Sequence, residues 1–254
     1  MTAERLELQT GLSVEIYATP QDAVVRAGDE LADLLKSVSY PVVGLATGST
    51  PELFYEELVR RHQSGLSFRG MSGFNLDEYE GVEAGDPMSF RSFMESRLYD
   101  HINARQANFL PGTSTPDEAE DVCAAYEHAI EQAGGLDWQL LGIGGNGHIA
   151  FNEPGSDMES RTRRVELDAR TRSDAAKAFG GLDKVPVAAL TMGIGTILEA
   201  RRIVMMAWGK GKAGIVAKAL QGEVTAEVPA SFLQEHRNVL VLLDEAAASE
   251  LKFG

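Results

Sequence analysis

The sequence predicts an α/β fold: a doubly wound, mostly parallel sheet with helices on both faces. Three observations predict it. Short unbroken apolar runs recur along the 254 residues, each is followed by a stretch with apolar residues at helical spacing, and the joins are rich in Gly, Ser, Thr, Asn and Pro. Strands alternating with helices imply right-handed βαβ units and a sheet covered on both sides. No linker, repeat or low-complexity stretch interrupts the pattern, so one domain over residues 1–254 is expected.

Residues 14–17 read as a short strand, and over 21–36 the spacing of Val24, Val25, Leu31, Leu34 and Leu35 predicts a helix. Residues 40–46 (YPVVGLA) form a continuous apolar run, as expected of a strand buried on both faces. The run ends in the turn Thr47, Gly48, Ser49 and Thr50, and Pro51 suits the first turn of a helix over 52–62. A strand at 73–76 and helices at 88–101 and 117–133 follow, the last with Val122, Tyr126, Ala129 and Ile130 on one face. Strands at 136–143, 202–207 and 238–243, with a helix at 211–220, continue the alternation.

Composition narrows the function. With 23 Lys+Arg against 38 Asp+Glu the net charge is −15, which argues against a nucleic-acid partner, because phosphate-backbone affinity needs clustered cations. No apolar run reaches the roughly 18 residues of a membrane span. The single Cys123 allows no disulfide within the chain, and the acidic MTAERLELQT start has no leader-like apolar stretch, so a cytoplasmic protein is expected.

In open parallel sheets ligands bind where strands run into helices, and three such loops carry polar chemistry. The first, GLATGSTP over 44–51, offers Gly48, Ser49 and Thr50 at a helix start, suited to a phosphate; it has no Walker lysine, and a plain hydroxyl cap is the alternative. The second, FNLDEY over 74–79, places Asp77 and Glu78 just past a strand, where a solvated acid pair is the alternative. The third, LGIGGNGHIAFNEPG over 141–155, contains Gly142, Gly144 and Gly147 at G-x-G-x-x-G spacing with Asp168 further on. A dinucleotide reading is set aside because Pro154 and Gly155 break the chain where the fingerprint needs a helix. What remains is His148 with Glu153 among glycines, where backbone approaches a ligand closely. His62, His101, His128 and His236 fall on helix or loop patterns, and no zinc-ligand spacing or G-x-S-x-G element occurs.

Taken in order over residues 43–251, GLATGSTP, FNLDEYEG, LGIGGNGHIAFNEPGS, VPVAALTMGIGT, WGKGKA and ASFLQEH resemble the glucosamine-6-phosphate deaminase family in its short form. The resemblance implies an isomerising deamination of glucosamine 6-phosphate to fructose 6-phosphate and ammonia, in amino-sugar catabolism, with no metal or organic cofactor. It implies that Asp77 moves a proton between C2 and C1 of the opened sugar, and that His148, oriented by Glu153, shuttles the ring-opening proton. It assigns the phosphate to Gly48, Ser49, Thr50 and Lys212, and counts Gly144 and Gly147 among the substrate-binding residues.

Three departures from the family pattern stand out. Asn146 stands two residues before the histidine, where long members carry aspartate, and so brings a hydrogen-bond acceptor without a negative charge. Lys177 replaces the arginine of T-R-x-A-N-x-R-x-F, exchanging a bidentate fork for a point charge, with Arg172 as the fallback phosphate ligand. Asp157 and Val165 replace a serine and a lysine that bind N-acetylglucosamine 6-phosphate in allosteric members, although Ser156 and Arg163 remain, so no activation by that effector is expected.

The same fold serves 6-phosphogluconolactonase, and nearly the same motifs would serve a galactosamine-6-phosphate deaminase. A non-catalytic sugar-phosphate sensor would need a basic DNA-binding segment, and Glu4, Glu7, Asp22, Asp29, Glu30 and Asp33 dominate the region where it would lie. A homo-oligomer is compatible with the glycine-rich Gly193-Ile194-Gly195 face.

Overall fold

The computed structural model describes residues 4–7, 11–113 and 115–252; most of the acidic start therefore lies outside the described residues. Strands β1 (Glu4–Glu7) and β2 (Leu12–Tyr17) precede helix α1 (Pro20–Ser37), which starts as the pattern predicts, with Thr19 accepting from the Asp22 N–H and Pro20 in the first turn. β3 (Val42–Leu45) leads into α2 (Ser49–Gln63), β4 (Ser72–Asn75) into β5 (Asp77–Tyr79) and α3 (Phe90–Arg97), and β6 (Gln106–Asn108) into α4 (Ala119–Gln132). Then come β7 (Trp138–Leu141), β8 (Arg163–Glu166), α5 (Ala169–Phe179), β9 (Ala188–Thr191) and α6 (Ile194–Leu198), followed by β10 (Ile203–Ala207), α7 (Ala213–Gln221) and β11 (Val239–Asp244).

Eight strands form the main sheet in the order β1-β2-β11-β10-β7-β3-β4-β6, parallel except for the β1–β2 edge pair. From β3 the chain winds outward through β4 and β6, then returns to the other side of β3 as β7 and winds away through β10 and β11. The direction of winding reverses between β3 and β7. Loops leaving those two strands therefore diverge, and a crevice opens at their carboxyl ends.

Register shows that helices cover both faces. Val43 lies opposite Trp138, while Gly44 lies opposite both Gln139 and Phe74, so Trp138 and Phe74 project to opposite sides. Phe54 of α2 stacks on Trp138 with ring centroids 5.8 Å apart, and Tyr126 of α4 meets Phe74 edge-on at 5.6 Å. A Cβ on Gly44 would fall 1.8 Å from Oε1 of Gln139, so the buried Gln139 amide occupies the space this glycine leaves.

A second, antiparallel sheet of order β5-β9-β8 was not anticipated from the sequence. Its strands are three or four residues long, and β8 reads Arg-Arg-Val-Glu, with no apolar run to signal it. It begins one residue after β4 and packs on a small cluster of Tyr79, Val82, Phe151, Leu167 and Ala189. The helix expected over 88–101 is shorter, ending at Arg97 with a separate 3-10 turn at Tyr99–His101. No helix follows Gly147; residues 142–162 run as turns and a single bridge, Ile149 to Asn152, which removes the dinucleotide fingerprint on structural grounds.

Gly193 follows β9 and packs against the loop that enters β8. A Cβ on it would lie 2.1 Å from the Ser160 carbonyl oxygen and 2.5 Å from the Arg161 carbonyl carbon, both backbone atoms that cannot swing aside. Gly193→Ala is therefore expected to cost about 1–3 kcal/mol and to lower Tm by several degrees, whereas Gly85→Ala, with no atom within 4 Å, leaves Tm nearly unchanged. Thermal melts of the two variants check this.

Candidate active site

A cleft of about 350 Å³ occupies the crevice between the β3 and β7 loops, within the range of small-ligand sites. Its first wall is the turn into α2. Gly48 sits in the left-handed region at φ 107° and caps the helix without any side-chain hydrogen bond, so Ser49 and Thr50 are not spent on a hydroxyl cap. First-turn N–H groups of α2 are thus presented to the cleft together with the positive end of the helix. The indole N–H of Trp208 donates to the Thr50 carbonyl at 3.1 Å, and the Tyr55 hydroxyl donates to the Ala46 carbonyl, which holds the loop from behind.

The second wall separates the acid pair. Asp77 lines the cleft and is buried, and its carboxylate receives no hydrogen bond from any described residue. Burial, aided by the Glu78 charge, pushes its pKa well above the usual carboxylate range. Tyr79, Phe90 and Phe151 line the same wall and keep it apolar. Glu78 is a structural acid: it accepts from the N–H groups of Tyr79 (2.9 Å), Phe90 (2.9 Å) and Arg91 (3.0 Å), anchoring the start of α3. Burial raises its pKa too, and these three donors pull it back.

The third wall carries the histidine. Nδ1 of His148 lies 3.3 Å from Oε2 of Glu153, and a carboxylate only accepts, so Nδ1 carries the hydrogen and Nε2 faces away. That far edge of the ring rests on Gly144, where a Cβ would come within 2.3 Å of both Nε2 and Cε1. Asn146 reaches both partners: its Nδ2 donates to Glu153 Oε2 at 2.8 Å and its Oδ1 accepts from the His148 N–H at 3.2 Å. Burial works against a charge on Glu153, but hydrogen bonds from His148, Thr171 and Asn146 outweigh it and hold its pKa below the usual range. Ala150, a non-glycine residue at φ 50°, also lines the cleft.

Lys212 closes the far end, its ammonium donating to the Ile143 carbonyl at 2.7 Å; burial lowers its pKa, Asp174 opposes that and Arg170 adds to it. The structure thus gathers Gly48, Ser49, Thr50, Asp77, Gly144, His148 and Lys212 around one space, with Asn146 and Glu153 behind the histidine. Lys177 is not brought there. It is exposed on α5 and does not line the cleft, and Arg172 is turned away, donating to the carbonyls of Leu182 and Val185 at 3.2 and 3.1 Å. Gly147 is a packing glycine at φ 92°: a Cβ would lie 2.9 Å from Val228 and 3.1 Å from Ile215. Thr171 and Asp174 also line the cleft, although no periodicity or motif position marked either of them as a site residue in the sequence.

A wider groove of about 970 Å³ lies beside α4, but the polar groups along it satisfy one another: Glu127 accepts from Arg161 and from the Thr162 and Thr196 hydroxyls. Among the described residues no three His, Cys, Asp or Glu side chains gather to hold a metal ion, and no helix is long and apolar enough to cross a membrane.

The sequence profile of the family described as glucosamine-6-phosphate isomerases/6-phosphogluconolactonase matches residues 18–242. The chain is 48% identical over 225 residues to the glucosamine-6-phosphate deaminase of Bacillus velezensis, covering 88% of this chain and 93% of that protein. It is 48% identical over 233 residues to the glucosamine-6-phosphate deaminase of Mycolicibacterium smegmatis, covering 89% and 87%. A solved structure described as a monomeric glucosamine-6-phosphate deaminase superposes with a TM-score of 0.90 at 42% identity, covering 93% of this chain and 99% of that one. The 6-phosphogluconolactonase of Trypanosoma brucei superposes at 0.77 with 24% identity over 94% and 98% of the two chains, which shows a shared fold alone.

Burial of an ionised Asp77 without a donor opposes folding. Since its folded pKa is raised above the unfolded value, the penalty is absent below the unfolded pKa and complete above the folded one. Asp77→Asn is therefore expected to melt higher than the unsubstituted protein at neutral pH, with the gain shrinking as the pH falls into the carboxylate range. Melting both proteins across that range tests the sign.

Proposed function

The chain belongs to the glucosamine-6-phosphate isomerase/6-phosphogluconolactonase family, and from this premise we propose that it converts glucosamine 6-phosphate and water to fructose 6-phosphate and ammonia, in amino-sugar catabolism. The observation that carries the reading is the pairing across one cleft of a buried, donorless Asp77 with a His148 whose Nδ1 is held by Glu153. One is a base with raised proton affinity; the other presents a single nitrogen to the substrate.

The phosphate binds at the α2 start, on the N–H groups of Gly48, Ser49 and Thr50 and on Lys212. The sugar then extends toward Asp77 and His148. His148 takes the proton of the anomeric hydroxyl at Nε2 and returns it to the ring oxygen as the C1–O5 bond breaks, leaving an aldehyde at C1. Asp77 removes the C2 proton, the electron pair moves into C1=C2 while O1 takes a proton from the substrate's own C2 ammonium, and Asp77 then gives its proton to C1. The resulting C2 iminium adds water and expels ammonia, leaving the ketone. Positioned acids and bases of this kind are worth about 10² to 10⁴ in rate each.

One chain supplies all of these groups, and the solved relative at 42% identity is described as monomeric, which supports a single domain acting as one copy. Lone, buried Cys123 and the anionic metabolite suit a reducing, cytoplasmic setting. Curated relatives at 44–48% identity carry the deaminase name, so lactone hydrolysis is left with likeness of fold.

Purified protein is expected to release ammonia from glucosamine 6-phosphate, faster than from galactosamine 6-phosphate, and to leave 6-phosphogluconolactone untouched. Consumption of the lactone alone would overturn the reading. Asp77→Asn lowers kcat by about 10² to 10⁴. Lys212→Ala raises KM about tenfold or more, matching a charge-assisted hydrogen bond of about 1.5–3 kcal/mol. Because Asp77 acts ionised and its pKa is raised, the acid limb of the kcat profile lies above the ordinary carboxylate range.

A further inference from the structure

The His148–Glu153 pair has a third partner. Thr171 is buried, lines the cleft, and places Oγ1 3.3 Å from Nδ1 of His148, the nitrogen that also faces Glu153. Its hydroxyl is also among the groups that hold the Glu153 pKa down, as a donor beside that carboxylate does. Nδ1–H is the donor in this cluster and Glu153 only accepts. A hydroxyl alone can do what the geometry asks between them, accepting from Nδ1–H while donating to the carboxylate. Valine has the same shape and can do neither.

Thr171 is also where α5 touches the site. The helix starts at Ala169 with Asp168 as its cap, and the Asp168 N–H donates to the other Glu153 oxygen, Oε1, at 3.4 Å. Two contacts thus dock the first turn of α5 on the two sides of one carboxylate. One turn further along, on the same side, Asp174 and Ala175 line the cleft beside Lys212. The helix that walls the anionic end of the substrate is the helix that holds the imidazole.

We propose that Thr171 is a positioning residue for ring opening: its hydroxyl locks His148 with hydrogen on Nδ1 and Nε2 toward the sugar, and ties that alignment to the seat of α5. This rests on the deaminase reading for its chemistry, but the lock itself is a property of the substrate-free protein.

Thr171→Val and Thr171→Ser separate the hydroxyl from the packing. In ammonia-release assays with glucosamine 6-phosphate, Thr171→Val is expected to lower kcat on the order of tenfold or more, a part of what a positioned acid–base is worth. KM stays within about twofold and the pH profile of kcat changes shape, while Thr171→Ser restores both. With ¹⁵N-labelled histidine, the NMR shifts of His148 report hydrogen on Nδ1 in the unsubstituted and Ser proteins and a mixture of tautomers in the Val protein. Equal losses in the Ser and Val variants, or a Val variant with unchanged kcat and unchanged tautomer, would overturn the proposal. If the unsubstituted protein releases no ammonia, the deaminase reading fails by itself, and the NMR measurement, which needs no substrate, still decides the role of Thr171.

Discussion

Parallel pairing of β3 with β7 is the contact on which everything else here depends. It is short, two residue pairs long, Val43 with Trp138 and Gly44 with Gln139, and it joins the two halves of the winding. Gly44 has no side chain, and the Gln139 amide lies in the space a Cβ would take. Past that point one strand turns into α2 and the other into the glycine loop that bears His148. The crevice is the geometric result of the reversal, and β4, paired on the other side of β3, delivers Asp77 to its edge. Three walls of the cleft therefore depend on one local fit.

Electrostatics asks for something harder, since a chain of net charge −15 has to hold an anion. Its arginines are largely engaged elsewhere: Arg202 with Glu30, Arg164 with Glu80, Arg61 with Glu57 and Arg161 with Glu127. Lys212 is different, because its hydrogen-bond partner among the described residues is the Ile143 carbonyl. A carbonyl orients the ammonium without cancelling its charge. Uncapped N–H groups at the α2 start add their partial positive charge to the Lys212 ammonium at this end of the cleft, against the carboxylate of Asp174, which lines it too.

Six of the eight main-sheet strands were legible in the sequence, for a physical reason, while the short edge strands β1 and β6, with no apolar run, were not. Buried parallel strands read as apolar runs, so YPVVGLA announced β3, and polar residues at the ends of such runs had few places to go other than the cleft. Legibility failed where the signal is tertiary. β5, β8 and β9 are too short and, in β8, too charged to have a pattern of their own, and they exist because each supplies the others with hydrogen bonds. It failed also for part of the cation set: the family resemblance assigned the phosphate to Lys177 or Arg172 beside Lys212, and of these only Lys212 lines the cleft, because helical phase turns Lys177 outward and loop carbonyls hold Arg172. Thr171, in the same motif, was invisible for the opposite reason. A threonine in a helix carries no chemistry until its neighbours are known.

Asp77 and Glu78 show how far the fold, rather than the residue type, decides what a side chain does. They are adjacent carboxylates, both buried, and residue type and position alone do not distinguish them; only the family resemblance singled out Asp77. Alternation along β5 turns them to different surroundings. Glu78 meets the start of α3 and gathers three backbone N–H groups, so its charge serves the structure. Asp77 meets the cleft and gathers none. A donor placed on Asp77 would relieve the strain of burying its charge, and would also weaken it as a base, because each hydrogen bond to a carboxylate lowers its proton affinity. The missing partner is thus what separates the two acids: Asp77 faces the cleft with its proton affinity raised by burial, and no described residue donates to it to lower that affinity.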